Sequence, residues 1–563
     1  MWQIRNFLLF LLLTLVLSCT SVFEEKKYSN TLQPGEQLKQ LSTVSSSPPH
    51  TSLSQVSHLK YKAKKFLNNN KDDLNDLVAN KALTRPQMLA NIKSKTSTDE
   101  KIQTFALISA LLPLDQPWLA YQLMKDNVLS RSDIKKALRQ IGASYKQKMS
   151  FPIETLETVR ITPLINSASI TVNTQANQLV NVKIKPKDKK VRYQQVKLHW
   201  EPIYGTMSGS AFDLNPATEY EVVIESELLK KEKYSFKTRA NKPRIEKIIY
   251  LKDLYKGGSL DVLDLEKEIT KNGWTQIDGT GVTITGDKNS DFAINLGNLE
   301  YVYLTNIKID YAKRFGIYAH KASNIWIDSC DIRNFGRNIV EHRNGIGYAA
   351  ASDTSAVNRD AGIFLNQSGQ VVIEHCKITS PNHSANSWKF GHPRGASALQ
   401  ISADHPNKQK QGQYIIRFNQ FYGSDNNRFN DVIESKMNGR RHGGFIRDSV
   451  IHNNYLAYSN DDLIELDGGQ SNVAFYNNKL EYGFCGISIA PNMWGPSYIF
   501  NNTFLMLGDS RGRSYSNIKS GGLFVAPGGV SLIADNQFYN PKLKIAFPGL
   551  QKDSSVWVEG TIF

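Results

Sequence analysis

Cysteine is scarce in this chain, with 4 among 563 residues. At that density, a disulfide framework in place of a hydrophobic core is not expected. None of the four forms a Cys-x-x-Cys pair or lies at the His/Cys spacing typical of a zinc site. The chain therefore has to fold around apolar cores, and its length predicts two or three domains.

The sequence also lacks an apolar run that would span a bilayer comfortably. The candidate run, 7–17, follows Arg5 and has the length of a signal-peptide core. It ends in Val16-Leu17-Ser18-Cys19, which resembles a bacterial lipobox. The resemblance implies a lipoprotein signal peptide over 1–18 and palmitate-type acylation of Cys19. An ordinary secretory signal with an incidental cysteine is the alternative.

Acidic residues are outnumbered, 52 Asp and Glu against 68 Lys and Arg, which gives a formal charge of +16. A basic surface attracts polyanions such as nucleic acid, anionic lipid or acidic polysaccharide. We expect an exported, monomeric protein anchored by its N-terminal lipid, facing the periplasm or on the outer-membrane surface. Such a protein has little access to nucleic acid, and no nucleic-acid-binding module is recognisable. An acidic polysaccharide is the expected partner.

The composition changes along the chain and predicts five segments. After the signal, 19–57 forms a flexible tether, 58–150 a small helical region, 155–242 a β-sandwich and 245–563 the largest domain. The stretch from Leu214 to Val222 contains Tyr220 and resembles the tyrosine-corner segment of fibronectin type III domains. That resemblance implies a spacer module.

The last segment contains an internal repeat. Eight stretches share one pattern of alternating apolar residues, and the shortest spacings, 23 to 24 residues, suit one coil of a parallel β-helix. They are 301–309, 324–332, 370–378, 413–421, 448–456, 472–480, 496–504 and 530–538. The fold class predicted is mainly β, a right-handed parallel β-helix preceded by a fibronectin type III-like sandwich and a small helical region.

One column of this register contains consecutive asparagines. Buried amides must be paired, so we expect an interior ladder in which the side chains bond between coils. The column comprises Ile307, Cys330, Cys376, Asn419, Asn454, Asn478, Asn502 and Asn536. The two cysteines are expected to stack as small buried apolar groups.

A second strand aligns in each coil, and the insertions fall on both sides of it. The strands are 316–320, 362–366, 398–402, 432–436, 463–467, 486–490 and 522–526. Their outward side chains predict the floor of a groove that contains Gln400 and, at its far end, Phe524.

In the middle of this floor the outward residues become charged. The register stacks Asp431 on Asp462, Glu434 on Glu465 and Lys436 on Asp467, about 4.8 Å apart as neighbouring strands are. Like charges at that spacing raise carboxyl pKa values, as catalytic acids require. The candidate substrate-binding groups are Gln400 on the floor and the following residues beside it: His392, Arg394, His405, Arg440, Arg441, His442 and Asp461. A solvated polar face with a Lys436–Asp467 salt bridge is the structural alternative.

These residues are similar to those of three groups of β-helix enzymes. Asn460-Asp461-Asp462-Leu463-Ile464 resembles the Asp-Asp segment of polygalacturonase-type hydrolases. Glu465-Leu466-Asp467 resembles the Glu-x-Asp strand pair of iota-carrageenase-like hydrolases, which implies Glu465 as acid and Asp467 as base. Glu434-Ser435-Lys436 with Arg441-His442 is similar to alginate and chondroitin lyases, which implies Lys436 as base.

The leading hypothesis is a glycoside hydrolase that acts on an acidic or sulfated glycan without a cofactor. The second is a polysaccharide lyase, in which Asp431, Asp461 and Asp462 hold calcium and Lys436 abstracts a proton at a uronate. The third is a non-catalytic surface protein that binds glycans.

Overall fold

The computed structural model describes the chain from residue 85 to residue 559, with gaps. The described ranges are 85–111, 116–130, 132–134, 136–137, 158–174, 178–201, 206–226, 229–270, 273–343, 346–440, 442–520, 530–540, 543, 545–546 and 555–559. Cys19 and Arg441, and with them the predicted lipid attachment and one predicted anion-binding group, lie outside these residues. Within the described ranges, no helix has the length and hydropathy needed to cross a membrane.

Three helices pack together within the predicted helical region. They are α1 (Arg85–Lys93), α2 (Thr98–Leu111) and α3 (Gln116–Lys125). Ser97 and Glu100 form a reciprocal capping box at the start of α2, since each side chain accepts a hydrogen bond from the other's backbone N–H. Phe105, Ile108 and Leu119 are fully buried between the helices.

An eight-stranded β-sandwich follows. Its strands are β1 (Val159–Pro163), β2 (Ala168–Asn173), β3 (Val180–Pro186), β4 (Gln194–Val196), β5 (His199–Glu201), β6 (Thr206–Ala211), β7 (Glu219–Ser226) and β8 (Lys230–Lys237). They form two antiparallel sheets in the orders β1-β2-β6-β5 and β4-β3-β7-β8. The Tyr220 hydroxyl accepts a hydrogen bond from the backbone N–H of Asn215 at 2.8 Å, the tie expected of a tyrosine corner.

The remaining strands, apart from one hairpin, form the three parallel sheets of a right-handed β-helix, as predicted. Two short helices, α4 (Leu251–Leu254) and α5 (Val262–Glu266), lie between its first two strands. Sheet 1 contains β9 (Ile245–Tyr250), β10 (Trp274–Asp278), β13 (Glu300–Thr305), β16 (Ser323–Asp328), β21 (Gly369–Glu374), β24 (Ile415–Arg417), β27 (Ile446–His452), β30 (Gly468–Tyr476), β34 (Ser497–Phe500), β37 (Val530–Ala534) and β40 (Ser555–Glu559), with β33 (Asn492–Trp494) beside β30. Sheet 2 contains β11 (Thr283–Ile284), β14 (Lys308–Ala312), β17 (Asp331–Phe335), β22 (Lys377–Thr379), β25 (Gln420–Tyr422), β28 (Tyr455–Ala457), β31 (Lys479–Glu481), β35 (Thr503–Phe504) and β38 (Gln537–Phe538). Sheet 3 contains β12 (Phe292–Asn295), β15 (Phe315–His320), β20 (Ala361–Asn366), β23 (Ser397–Ile401), β26 (Ile433–Ser435), β29 (Asp462–Glu465), β32 (Cys485–Ile489), β36 (Ser516–Ser520) and β39 (Ile545–Ala546).

The insertions carry the irregular structure. A hairpin of β18 (Glu341–Arg343) and β19 (Ile346–Tyr348) and three 3-10 turns, Val357–Arg359, Trp388–Phe390 and Lys408–Lys410, lie in the connections around sheet 3.

The predicted asparagine ladder forms between sheets 1 and 2 and is fully buried. Each amide nitrogen donates to the amide oxygen of the next coil, at 2.9 Å from Asn419 to Asn454 and 3.0 Å from Asn454 to Asn478. The same oxygens also accept from backbone N–H groups one coil away. The ladder therefore satisfies side-chain and main-chain groups that have no access to water.

The residue before each ladder position has a positive φ. It turns the chain from sheet 1 into sheet 2 in the left-handed conformation, which asparagine tolerates better than other non-glycine residues. The residues are Asn306, Ser329, His375, Phe418, Asn453, Asn477, Asn501 and Asp535, with φ between 52° and 57°. This explains the Asn-Asn pairs at 453–454, 477–478 and 501–502.

Two details of the predicted register are wrong. Cys330 and Cys376 do stack, but they are joined by a disulfide with Cα atoms 4.4 Å apart, so they are not independent apolar groups. The strand of sheet 3 that pairs with β32 is β36, through Ile487 and Ile518. The predicted partner, 522–526, lies outside the described residues. The apolar-polar alternation fits either segment, and only the pairing with β32 decides between them.

The sandwich packs directly against the outer face of sheet 1, where we had expected a spacer. Leu164 and Ile165 join a buried cluster with outward residues of sheet 1, among them Trp326 and Tyr498. The Phe212 ring contacts Tyr498 edge-on at 5.3 Å between centroids. One face of the β-helix is therefore covered, and the outer face of sheet 3 remains available for a site.

Candidate active site

The outer face of sheet 3 forms the floor of the predicted groove. Strand pairing places the outward side chains in one row, from Tyr318 through Phe364, Gln400, Glu434, Glu465 and Ser488 to Lys519. Behind them, Ile433, Ile464 and Ile487 are fully buried in the core. The first six members of this row are the outward residues of the predicted strands. Lys519 occupies the position that was predicted for Phe524.

Connections from sheet 2 to sheet 3 build one wall of the groove, called here the rim (380–396, 457–461, 482–484 and 505–515). Arg428 is buried below it and donates to the carbonyl oxygens of Ser459, Tyr482 and Gly508 at 3.2, 2.9 and 2.9 Å. Asn460 donates to the carbonyl of Ala385 at 2.7 Å and accepts from the N–H of Ser510 at 2.9 Å. These bonds tie successive coils together, so the rim is a braced structure.

Glu434 and Glu465 lie on adjacent rungs at mid-groove, and both side chains are partly exposed. Glu434 accepts a hydrogen bond from the Ser397 hydroxyl at 2.8 Å. Glu465 accepts from the Asn438 amide at 3.2 Å to each carboxylate oxygen and from the N–H of Ser435 at 3.3 Å. Both carboxyl groups can therefore be reached from solvent while their orientation is fixed.

The two carboxyl groups have different electrostatic surroundings. Burial raises the pKa of both. Hydrogen bonds from the Ser397 and Gln400 side chains, followed by the charges of Arg394 and Arg359, oppose the rise at Glu434, whose pKa reaches about 7. At Glu465, Asp467, Glu434 and Asp462 add to the rise, and the pKa lies well above its ordinary value. Of the two carboxyl groups, Glu465 therefore has the stronger tendency to remain protonated.

Asp467, the predicted base, is 4% exposed and differently placed. Its oxygens accept from the Ser488 hydroxyl at 2.9 Å and from the N–H of Ala490 at 2.6 Å. Burial raises its pKa to about 6. Lys436 does not reach it, so the alternative Lys436–Asp467 salt bridge does not form. Asp467 acts as an anchor between rungs.

Asp431, Asp461 and Asp462 converge below the rim, with oxygens within 4.8 Å of one another. All three are nearly fully buried. Burial raises the pKa of Asp431 and of Asp461 well above the ordinary value. Buried carboxylates this close together repel one another when they are ionised, so their charged forms need a neighbouring cation.

Lys519 supplies that cation, with its ammonium 2.7 Å from an Asp462 oxygen. Although burial opposes the charged form, Asp462 and Asp461 raise the pKa of Lys519 well above its ordinary value. Other oxygens of the cluster already accept from the Asn430 amide at 2.6 Å and from the N–H of Asp462 at 2.9 Å. Oδ1 of Asp462 and Oδ1 of Asn430 are buried without a hydrogen-bond partner. The Lys519 ammonium therefore occupies a cluster that still has open oxygens, and a calcium ion, which takes six to eight oxygens, would have to compete with it.

Lys436 lies on the other side of the floor. Its ammonium donates to the Asn366 side chain at 2.9 Å and lies 4.9 Å from the centre of the Phe364 ring. Burial and the charge of Arg359 lower its pKa. Arg359, which the sequence did not single out, is exposed beside both Lys436 and Glu434.

The predicted histidines separate into three environments. His392 is on the rim, where its Nε2 lies 3.3 Å from Asp461 and its Nδ1 accepts from Arg394 at 2.9 Å. His405 is buried, with both ring nitrogens bonded to main-chain groups of Lys321 and Asn407, so it supports a loop. His442 is exposed on the opposite edge together with Arg440.

Gln400 is 1% exposed, and its amide donates to the carbonyl of Asn358 at 2.9 Å. This bond fixes the 3-10 turn that carries Arg359 above the floor. The Gln400 side chain also hydrogen-bonds Glu434, so it supports both this turn and that carboxylate. Its contact with substrate stays a prediction.

A surface cavity of about 910 Å³ lies outside this site, next to β15 and the connection before β20. Arg314 and Arg337, which line it, both bind the buried Asp360, at 2.9 and 2.8 Å. These charges hold the connection in place, and the cavity contains none of the candidate acids.

Comparison with known proteins agrees with the fold. Residues 267–398 match the family model described as "Right handed beta helix region". No curated protein matches the chain.

Three solved structures illustrate the similarity. DFA-IIIase from Arthrobacter chlorophenolicus A6 is 13% identical, with a TM-score of 0.29 over 48% of this chain and 55% of that one. The catalytic unit of a thermostable GH87 alpha-1,3-glucanase from Streptomyces thermodiastaticus strain HF3-3 is 12% identical, with a TM-score of 0.30 over 70% and 78%. The Pseudomonas phage phi297 tailspike gp61 is 11% identical, with a TM-score of 0.29 over 72% and 56%. The chain thus spans little more than half the length of the first of these, and at this distance the similarity says nothing about what it acts on.

Proposed function

We propose that this protein is a glycoside hydrolase in which Glu465 is the acid and Glu434 the partner carboxylate. The observation that carries the proposal is the pair of partly exposed carboxyl groups on adjacent rungs of the groove floor. Hydrolysis of a glycosidic bond needs one protonated and one ionised carboxyl group beside the bond. The anionic surroundings of Glu465 and the cationic surroundings of Glu434 favour that division.

The pair also favours one stereochemical outcome. Side chains on neighbouring strands start about 4.8 Å apart, close to the ~5–5.5 Å carboxyl separation of retaining enzymes. Glu434 would then attack the anomeric carbon and form a glycosyl-enzyme, and Glu465 would protonate the leaving oxygen and later activate water. Asp467 loses the role of base, because its oxygens are occupied and shielded.

The expected substrate is an acidic glycan. Arg359, Lys436 and Arg394 surround Glu434, and Arg440 is exposed on the opposite edge. Cations around a groove attract an anionic chain and position its carboxylate or sulfate groups.

We further propose export and membrane anchoring through Cys19, with the β-helix in the aqueous space.

One observation favours a second candidate, β-elimination at a uronate. The lowered pKa of Lys436 increases the fraction of neutral amine that can act as a base. Arg359 would neutralise the uronate carboxylate in that case. Lys519 in the aspartate cluster argues against calcium in that role.

Replacing the acid tests the proposal. Glu465→Gln should reduce turnover by about 10²- to 10⁴-fold, because the amide cannot donate the proton, and should leave binding intact. Release of reducing ends from alginate, polygalacturonate, chondroitin sulfate and carrageenan is the measurement. Glu481→Gln makes the same change on sheet 2 and should have no effect.

Ultraviolet absorbance recorded in the same reactions separates the two chemistries, since elimination creates an unsaturated sugar and hydrolysis does not. Unsaturated product whose formation survives Glu465→Gln but not Lys436→Ala would replace the hydrolase with the lyase. Binding without turnover in the wild-type protein would leave only a glycan-binding role.

A further inference from the structure

Three aromatic side chains line the rim beside the acidic rungs, and none was singled out from the sequence. Trp388 contacts Phe484 at 5.2 Å between ring centroids, and Phe484 stacks on Tyr515 at 6.0 Å with an interplanar angle of 15°. All three rings are partly exposed to solvent, whereas large aromatic side chains in globular proteins are more often mostly buried. They come from three different connections, at 380–396, 482–484 and 505–515.

The position of these rings is fixed by the bracing of the rim. Asn460 links the connection that carries Trp388 to the one that carries Tyr515, through Ala385 and Ser510. The N–H of Tyr515 also donates to the carbonyl of Phe484 at 2.7 Å. The aromatic surface is therefore formed before any ligand arrives, which reduces the entropy lost on binding.

Polar groups border the aromatic surface on the side of the acids. The His392 ring lies 4.8 Å from that of Trp388, and its Nε2 is 3.3 Å from Asp461, next to the strand that carries Glu465. Arg394 donates to His392 and its charge acts on Glu434. An apolar flat surface edged by planar hydrogen-bonding groups matches a sugar ring, which has C–H groups on its faces and hydroxyls at its edge.

We propose that Trp388, Phe484 and Tyr515 form a saccharide-binding platform, which holds one sugar ring of an acidic glycan on the rim side of the Glu434–Glu465 pair. The proposal rests on the proposed function for the identity of the ligand. It extends that function by assigning a subsite that binds the uncharged face of a sugar ring. This subsite is separate from the cations that bind the acidic groups of the glycan. In this arrangement His392, at the edge of the Trp388 ring, binds a ring hydroxyl.

Affinity electrophoresis tests the platform in a Glu465→Gln background, where turnover does not remove the ligand. The gels contain alginate, polygalacturonate, chondroitin sulfate or carrageenan. Trp388→Ala combined with Phe484→Ala should weaken retardation about tenfold, the factor that corresponds to about 1.4 kcal/mol. Tyr422→Ala is the matched control, because Tyr422 is a partly exposed ring that packs at a tilt against Tyr455 of sheet 2, outside the groove.

A fluorescence titration gives a second measurement. The chain has 8 tryptophans, so the difference between the parent and its Trp388→Phe variant isolates the signal of Trp388. Binding of the retarding polysaccharide should change that difference signal, and Trp388→Phe should keep most of the affinity because a ring remains. Thermal unfolding of each variant checks that the rim stays folded.

Unchanged retardation of the double variant, or the same loss in Tyr422→Ala, would overturn the platform, as would absence of retardation on all four gels. These outcomes are distinct from failure of the proposed function. If the Glu465→Gln chain still released reducing ends while the double variant lost affinity, the hydrolase assignment would fall and the platform would stand.

Discussion

At the scale of single residues, the site contains several buried carboxylates whose charges are offset by one lysine. Asp461, Asp462 and Asp467 would repel one another in a region of low dielectric constant, and the Lys519 ammonium lies among them. A buried carboxylate left without its partner is costly, so the lysine stabilises the rungs that carry Glu434 and Glu465.

Removing this ammonium should therefore destabilise the protein and create a demand for another cation. We expect Lys519→Met to lower the free energy of unfolding by about 3–5 kcal/mol, as loss of one partner of a buried ion pair does. Millimolar calcium should then raise the melting temperature of the variant and leave that of the wild type unchanged.

Lys389→Met is the control, because this lysine is exposed on the rim. Stabilisation of the wild-type protein by calcium would contradict the assignment of Lys519 as the resident cation and would restore the metal-site hypothesis.

At the scale of the structural element, each coil depends on its neighbours through the asparagine ladder. The amide oxygen of Asn478 accepts both from the Asn454 side chain at 3.0 Å and from its N–H at 2.9 Å. Its own amide donates to Asn502 at 3.1 Å. One residue therefore satisfies several buried groups in two coils.

Asn478→Ala should lower the free energy of unfolding by about 2–4 kcal/mol, since it leaves the buried backbone N–H of Asn454 without its acceptor and removes one bond of the Asn454 amide. Chemical denaturation followed by circular dichroism measures the change. The neighbouring Asn477→Gly should have little effect, because Asn477 is exposed with φ of 55°, a conformation that glycine adopts readily. Equal losses in the two variants would show that the ladder does not carry the stability assigned to it.

At the scale of the whole molecule, the sandwich and the β-helix share a buried interface. Asp448 of sheet 1 is fully buried, accepts from the Thr162 hydroxyl at 3.0 Å and lies 3.8 Å from Arg160. Arg417 of sheet 1 pairs with Glu374 at 2.7 Å and reaches Asn166 of the sandwich at 3.2 Å. These polar contacts surround the aromatic cluster of Phe212.

The interface predicts that the two domains unfold together. Phe212→Ala removes the ring packed on Tyr476, Tyr498 and Phe500. We expect it to weaken the interface by about 2–4 kcal/mol and to split a single calorimetric transition into two. Leu179→Asp alters a residue of the sandwich that is 60% exposed and should leave one transition. A wild-type protein that already shows separate transitions would indicate independent domains.

The sequence alone determined the fold and the middle of the groove floor. The repeat of apolar residues and the Asn column follow from strand alternation and the pairing of buried amides, which act at fixed spacing along the chain. Because adjacent coils share one register, Glu434 and Glu465 could be placed on neighbouring rungs without coordinates.

Only the tertiary structure decided which charged side chains face solvent and which cation lies beside the buried carboxylates. It also decided which segments form the rim of the groove. Asp467 differs from Glu434 in its contacts with Ser488 and Ala490, which lie on another coil. The aromatic rim lies in insertions, and Lys519 lies on the strand that follows one of them. The length of an insertion has no period, so the register of these residues depends on packing against distant coils. The docking of the sandwich on sheet 1 is likewise a match between two surfaces, and such a match is not encoded in the spacing of residues within either domain.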